Sequence, residues 1–405
     1  MKVLLLNSMC GSGSTGRICT GIADVLKSNG HEAYIAYGHS SSTYPNSFNI
    51  SGGRFDYLSH NILSRLTDSE GLHSTHATEK LIRKIEEINP DIVHIHTLHG
   101  HYVNYKLLFE YLIKNQCIKV VMTLHDCWTF TGHCAHFVMH GCEKWKNGCY
   151  KCDFLNEYPK SWFIDKSKSN YNLKKRLITQ LGERLTIVPV SYWLENLLRE
   201  SFLKDLRIKT LHNGIDLNIF KPTYNEKLDI KYGLQGKKIV LGVASPWSGY
   251  KGLPDFYKLR NRLSDDYAII MVGLSEQQII ELPEGIVGIC RTDNVNQLSE
   301  LYTIADVFVN TTYCDNYPTV NLEAISCGTP VITYKTGGSP ESVDDMTGRV
   351  VEQGNIEELS NAIIDVCRIK DYFRTNCLNK AKAMFDKDIC CLLYTSDAAD
   401  DLIGV

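Results

Sequence analysis

Residues 4–18 read LLLNSMCGSGSTGRI: an apolar run enters a turn in which Gly11, Gly13 and Gly16 satisfy G-x-G-x-x-G. With the amphipathic stretch that follows, Arg17 to Asn29, this makes a strand, a loop and a helix, the opening unit of a parallel α/β sheet. The same glycines raise a dinucleotide site. Such a site also needs an acidic side chain about 20 residues on, at the end of the second strand, to hold the ribose hydroxyls. The candidate second strand, HEAYIAYG, ends on Tyr37 and Gly38, and its acid, Glu32, stands at the start. A carboxylate a strand length from the crevice does not meet a ribose there, so the glycines are assigned to other phosphate chemistry.

Outward from this unit, apolar runs near KVLLLN, EAYIAY, DIVHIH, KVVMTLHD and LTIVPVS alternate with helical patterns such as Arg17 to Asn29 and Thr78 to Ile88. That alternation predicts a doubly wound parallel sheet. After LHNGIDLNIFKP (Leu211 to Pro222) the rhythm restarts with KIVLGVAS, YAIIMVG, GIVGIC, ADVFVN and TPVITY. The predicted architecture is α/β with two Rossmann-like domains, residues 1–215 and 216–390, and the Asn-Gly and Lys-Pro turns between them suit a hinge. Ligands of such sheets bind at the carboxyl ends of the strands, so two facing domains are expected to form one cleft. Residues 391–405 carry TSDAADD, with no apolar residue recurring at helical spacing. They resemble translated adapter read-through and are expected to be a non-native or disordered tail.

Lysine plus arginine (43) nearly balances aspartate plus glutamate (46), so no general attraction to nucleic acid is expected. The opening MKVLLLNSMCG has too short an apolar run for a signal peptide, and no 18-residue apolar stretch offers a membrane span. Fifteen cysteines without an export signal point to a reducing cytoplasm. Within residues 133–152, HCAHFVMHGCEKWKNGCYKC, lie Cys134, Cys142, Cys149 and Cys152. Four thiolates so close in sequence suit a structural zinc site that staples a long loop, with nearby histidines widening the ligand set and free thiols as the alternative. The stretch DKSKSNYNLKKRL gathers Lys166, Lys168, Lys174, Lys175 and Arg176, which suits either peripheral contact with anionic lipid or a solvated helix face.

The richest stretch is Asp306 to Ser339, DVFVNTTYCDNYPTVNLEAISCGTPVITYKTGGS. Asp315 and Glu323 are eight apart, with Pro318 and Thr319 between them where a helix begins. Proline at a first helical turn forfeits only an amide that lacks a partner anyway. The amides of Thr319 and Val320 then face outward and can meet a diphosphate, and Glu323, one turn in, is expected to face the same cleft and accept from ribose hydroxyls. The competing account is that both acids complement the positive helix end, an effect of about 0.3–1 kcal/mol.

In DNYPTVNLEAISCGTPVI the two acids and the sequel Gly-x-Pro-Val resemble the motif of the family-4 glycosyltransferases, retaining enzymes of GT-B architecture. The resemblance runs from Met1 to about Cys390. It implies that Glu323 binds the donor ribose and that Asp315, one methylene shorter than the family's glutamate, lies beside the donor sugar. A family glycine is Pro318 here, which removes one amide from the phosphate contacts. Gly11, Gly13 and Gly16 are implied to let backbone approach the diphosphate and the transferring sugar, with Arg17 behind them to help neutralise phosphate. His125, in TLHDCW, matches a histidine near the transferred sugar, and Lys251, in ASPWSGYKGLPDF, matches a diphosphate-binding lysine; no arginine stands at the family's spacing.

The implied reaction moves a hexose-type unit from a nucleotide-sugar donor to a glycan or lipid-linked saccharide, in surface polysaccharide biosynthesis at the inner membrane surface. Residues 1–215 are implied to be the acceptor side and 216–390 the donor side. Lys251, Arg17 and fixed amides stabilise the leaving diphosphate, so no cofactor is required for catalysis. The alternatives are another GT-B sugar-nucleotide enzyme, such as an epimerase or hydrolase, and a non-catalytic sugar-nucleotide binder.

Overall fold

A computed structural model describes residues 1–390, which divide into two compact units, Met1–His212 and Asn213–Cys390. The expectation for residues 391–405 lies outside the described residues. The boundary falls three residues before the expected 215/216 because the turn segment is built into the second unit. There the Ile215 amide donates to Phe385 O (2.8 Å), the Lys387 amide donates to Ile215 O (2.9 Å), and Lys387 Nζ meets Asp216 at 2.6 Å.

The first unit has seven strands, β1 (Lys2–Asn7), β2 (Glu32–Tyr37), β3 (Ser47–Asn49), β4 (Ile92–Ile95), β5 (Lys119–Leu124), β6 (Leu185–Pro189) and β7 (Arg207–Ile208). All pair in parallel in the order β3-β2-β1-β4-β5-β6-β7. Leu4, Leu5 and Leu6 are all buried, as they must be in a parallel sheet covered on both faces. The order reverses between β1 and β4, and a reversal point opens a crevice beyond the strand ends. The glycine loop follows β1 there and the histidine-rich segment 96–101 follows β4.

The second unit has six strands, β8 (Lys238–Val243), β9 (Tyr267–Val272), β10 (Ile286–Ile289), β11 (Val307–Asn310), β12 (Val331–Tyr334) and β13 (Gly348–Val351). They are again parallel, ordered β10-β9-β8-β11-β12-β13, with the reversal between β8 and β11. Every expected strand is present. The additional ones, β3, β7 and β13, lie at sheet edges, where short runs carrying polar residues such as Ser47 and Arg349 hide the pattern.

β13 lies so close to β12 that a Cβ on Gly348 would sit 1.8 Å from the Val331 carbonyl oxygen. Backbone has no easy way to yield, so Gly348→Ala is expected to lower stability by about 1–3 kcal/mol or more, read as a lower midpoint in urea unfolding.

Candidate functional site

In the second unit the loops after β8 and β11 meet at the reversal point. Lys251, in the turn Gly249–Lys251, places Nζ 2.6 Å from Asp315 Oδ2. Backbone holds the loops together: the Tyr313 amide donates to Tyr250 O (2.7 Å) and Thr311 Oγ1 donates to Lys251 O (3.0 Å). Burial works against the charge on Lys251, but Asp315 outweighs it and raises the lysine above its ordinary value. Lys251 is therefore a charged, partly accessible ammonium. A second anion arriving here competes with Asp315 for it.

Thr319 and Val320 open the helix Thr319–Ser326, and Pro318 precedes it as the cap rather than standing within its first turn. Opening amides have no acceptor inside their own helix. The remaining six residues of that helix are all buried, Glu323 at 2 % exposure. Glu323 is thus packed within its unit rather than standing on an exposed face. Its Oε2 accepts from the hydroxyl of Tyr302 (3.0 Å), on the neighbouring helix Val295–Ile304, because this short helix is packed on more than one side. Asn321, which sequence reasoning passed over, accepts from Asn310 Nδ2 (2.9 Å) and donates to the hydroxyls of Ser339 and Ser342 (3.0 Å each). It ties the end of β11 to the loop after β12. A cavity of about 300 Å³ lies instead at the strand starts, bordered by Lys237, Asp306 and Lys370, away from this constellation.

In the first unit Gly11 (φ +71°) and Gly13 (φ +66°) take the left-handed conformation that favours glycine. A Cβ on Gly16 would stand 3.3 Å from the backbone of Met9 and Gly11, so the third glycine lets the helix Gly13–Ser28 close onto the loop. Arg17 is exposed on that helix. Asn7 anchors the loop by donating to Met9 O (2.8 Å) and accepting from Thr97 Oγ1 (2.6 Å). Glu32 stays at the start of β2, hydrogen-bonded to the Tyr34 hydroxyl, as the argument against a dinucleotide requires.

His125 follows β5 and lies 3.1 Å (Nε2) from His96 Nδ1, and His94 stacks on His96. Burial lowers all three, His94 to about 3 and His125 to about 4, so His125 is a neutral imidazole at neutral pH. The charged group is its neighbour. Asp126 Oδ2 lies 2.7 Å from His99 Nε2, and His99 Nδ1 lies 2.9 Å from the Tyr158 hydroxyl. Burial opposes both charges, yet each favours the other: His99 is raised and Asp126 sits well below the usual carboxylate range. No sequence signal joins His99 to Asp126, because they lie on different loops.

The basic stretch settles differently from expectation. Lys174 is buried and donates to Trp128 O (2.6 Å) and Thr131 O (3.2 Å), so it leaves the surface, while Lys166, Lys168, Lys175 and Arg176 remain exposed. Cys134 and Cys152 share a hydrogen bond, and Gly132 donates its amide to Cys149 Sγ (3.1 Å). Among the described residues, however, the trio whose ligand atoms all lie within 4.8 Å of one another is His60, Glu70 and His101, and the thiols are not gathered so tightly. Within that trio the buried His101 Nδ1 lies 2.5 Å from Glu70 Oε2. Glu70 Oε1 accepts from the amides of Gly100 (2.7 Å) and His101 (3.0 Å).

A model of Glycosyltransferase Family 4 matches residues 15–219, just over half of the chain, and one of Glycosyl transferases group 1 matches residues 225–384. The chain belongs to glycosyltransferase family 4. This family-4 chain is 27 % identical over 275 residues to WcaC of Escherichia coli K12, named as a colanic acid biosynthesis glycosyl transferase; the match covers 67 % of this chain and 66 % of WcaC. In fold it is similar to sucrose-phosphate synthase from Thermosynechococcus elongatus (TM-score 0.74, 15 % identity) and to Anabaena HepE in complex with UDP-glucose (TM-score 0.68, 15 % identity), with all of each chain covered. The two Rossmann-like units are those of the GT-B fold. Among the described residues of the family-4 chain no helix is long and apolar enough to cross a membrane.

Glu70 lends itself to a test of the buried pair. Burial works against its charge, but His101 prevails and holds the carboxyl near 2, against an ordinary 4.5. A depressed carboxyl contributes stability that is complete above the unfolded value and is lost as pH falls from about 4.5 to about 2. His60, which burial lowers to about 3, gains its charge in the same acid range, and burial lowers His73 as well; Glu70→Gln keeps both, so the difference between the two curves reports the carboxyl. The urea midpoint of the wild type is expected to fall more steeply below pH 4.5 than that of Glu70→Gln, and parallel curves would contradict the pair.

Proposed function

We propose that the protein is a retaining glycosyltransferase that moves a hexose-type unit from a nucleotide-sugar donor to a glycan or lipid-linked saccharide in surface polysaccharide assembly. The observation that carries this reading is the Lys251–Asp315 pair beside the start of the helix Thr319–Ser326 at the reversal point of the second sheet. A leaving nucleoside diphosphate needs positive charge that is already in place. Lys251 supplies a full charge, and the opening amides of Thr319 and Val320 add the positive end of a helix. Asp315, displaced from the lysine by phosphate, is then available to sugar hydroxyls. His125, neutral, donates or accepts one hydrogen bond at the transferred sugar and carries no charge into the reaction. Glu323 is assigned to the ribose, with Tyr302 as the hydroxyl that orients its carboxylate. Family membership, the name of WcaC and the UDP-glucose bound to HepE support this reading.

The test is donor binding and transfer with purified protein over a panel of nucleotide sugars. Lys251→Met is expected to weaken nucleoside-diphosphate binding by about 10- to 100-fold, the loss of one charge-assisted hydrogen bond of about 1.5–3 kcal/mol. Asp315→Ala should depress turnover more than donor affinity, and Glu323→Gln the reverse. Unchanged donor affinity in Lys251→Met would sink the assignment. Release of sugar from donor at the same rate with and without any acceptor would identify a hydrolase.

We also propose that Cys134, Cys142, Cys149 and Cys152 hold a structural zinc ion. Between β5 and the helix Ser167–Thr179 the chain has only three single-turn 3-10 helices, and so long a loop inside a compact unit calls for a staple. Zinc bound to the four thiolates would tie the two ends of this loop together. Protein purified without chelator should contain close to one zinc per chain. Cobalt substituted for it should show sulfur-to-metal charge-transfer absorption. Absence of metal, or a cobalt spectrum without that band that changes in Glu70→Gln, would reject the thiol site.

A further inference from the structure

One helix of the first unit is turned inside out. In Arg54–Thr67 the buried side chains are His60 and Ser64, one turn apart, while Phe55, Leu58, Ile62 and Leu63 are exposed, Phe55 at 88 %. An amphipathic helix on a globular unit ordinarily buries its apolar stripe. Here polar contacts hold the opposite face inward: His60 Nδ1 lies 2.8 Å from Ser74 Oγ, and the Gly71 amide donates to His60 Nε2 (3.2 Å). Rolling the helix to hide Phe55 would break both.

Phe55, Leu58, Ile62 and Arg65 fall on one stripe, at steps of three, four and three residues. Arg65 carries that stripe onto a second segment. Its carbonyl accepts the Trp162 amide (2.7 Å), and its guanidinium lies 5.8 Å from the Trp162 ring centre. Trp162, Phe163 and Ile164 are themselves exposed, Phe163 at 77 %. Helix and loop together form one apolar face. Around it Arg54, Lys160, Lys166 and Lys168 are exposed. The acids nearby are Asp56, Glu157, which lies 3.5 Å from His140, and Asp165, which accepts the amides of Cys152 and Ser167.

We propose that this face docks the protein on a bilayer surface bearing anionic lipids, with Phe55, Leu58, Ile62, Trp162 and Phe163 entering the interface and the surrounding cations meeting headgroup phosphate. Large exposed apolar patches mark interaction surfaces. An aromatic-rich face ringed by lysine and arginine matches the layering of a lipid interface, apolar below and anionic above. The choice of a membrane rests on the reading of a lipid-linked acceptor, which would be met in that plane.

The test is sedimentation of the full chain with vesicles of phosphatidylcholine alone and of phosphatidylcholine with phosphatidylglycerol. Wild type is expected to partition onto the anionic vesicles, weakening as salt is raised. Phe55→Ser with Phe163→Ser should reduce the partition about tenfold or more, and Lys166→Gln or Lys168→Gln by roughly fivefold each. Unfolding midpoints and nucleoside-diphosphate binding of these variants should match wild type, because none of the four residues belongs to the donor site. No partition of wild type, or partition unaffected by loss of both phenylalanines, overturns the proposal. So does a wild-type dimer in sedimentation velocity that the same two substitutions dissociate without any effect on vesicles. Vesicle binding that persists in a protein with no affinity for any nucleotide sugar would refute the enzyme reading and leave the docking face standing.

Discussion

A parallel strand buried on both faces is filled mostly by apolar side chains and presents its polar chemistry chiefly where it ends, and the chemistry of this protein follows from that constraint. Along β8, β9, β11 and β12 the buried positions are filled by Val240, Leu241, Ile269, Ile270, Phe308 and Ile332. Lys251, Asp315, Thr319, His125, Asp126 and the three glycines all lie just past carboxyl ends of strands. Strand order reverses once in each sheet, beside β1 and beside β8, so neighbouring loops there diverge and leave backbone accessible to a ligand.

Desolvation then decides which of these polar groups is charged. A buried ionisable side chain stays ionised only with a partner close by. Lys251 has Asp315, His99 has Asp126, and Glu70 has His101. His94, His96 and His125 form a stack whose members lean on one another and on Thr123, and burial leaves them neutral. Adjacent residues of one motif, His125 and Asp126, therefore act differently: the imidazole is a hydrogen-bonding surface, and the carboxylate is an anion committed to another loop.

Much of the architecture was legible because it is local. Glycine spacing and runs of Val, Ile and Leu act within a few residues of chain, and the glycine turn and the strands appear in the structure where the pattern placed them, while Pro318 stands one place outside the helix it was expected to open. The short edge strands β3, β7 and β13 escaped because two to four residues do not establish a period. Lys174 was read as surface because lysine is ordinarily exposed, yet two backbone carbonyls, of Trp128 and Thr131, receive it inside the unit. The helix Arg54–Thr67 defeats the rule of apolar-side-in for a similar reason: Ser74 and Gly71, residues beyond its own end, hold its polar face inward.

The sequence by itself determined that this chain is α/β, that it repeats a doubly wound pattern twice, and that a motif with Asp315 and Glu323 stands at the start of a helix. Periodicity and turn chemistry suffice for that, since they depend on near neighbours. Only the tertiary structure decided that Lys251 meets Asp315, that Glu323 is buried against Tyr302, that His99 joins Asp126, and that the aromatics of residues 55–63 continue into 162–164. Each of these joins residues from separate segments of the chain. Their distances and charges are set by how the sheets bring loop ends together, a property that no single stretch of sequence contains.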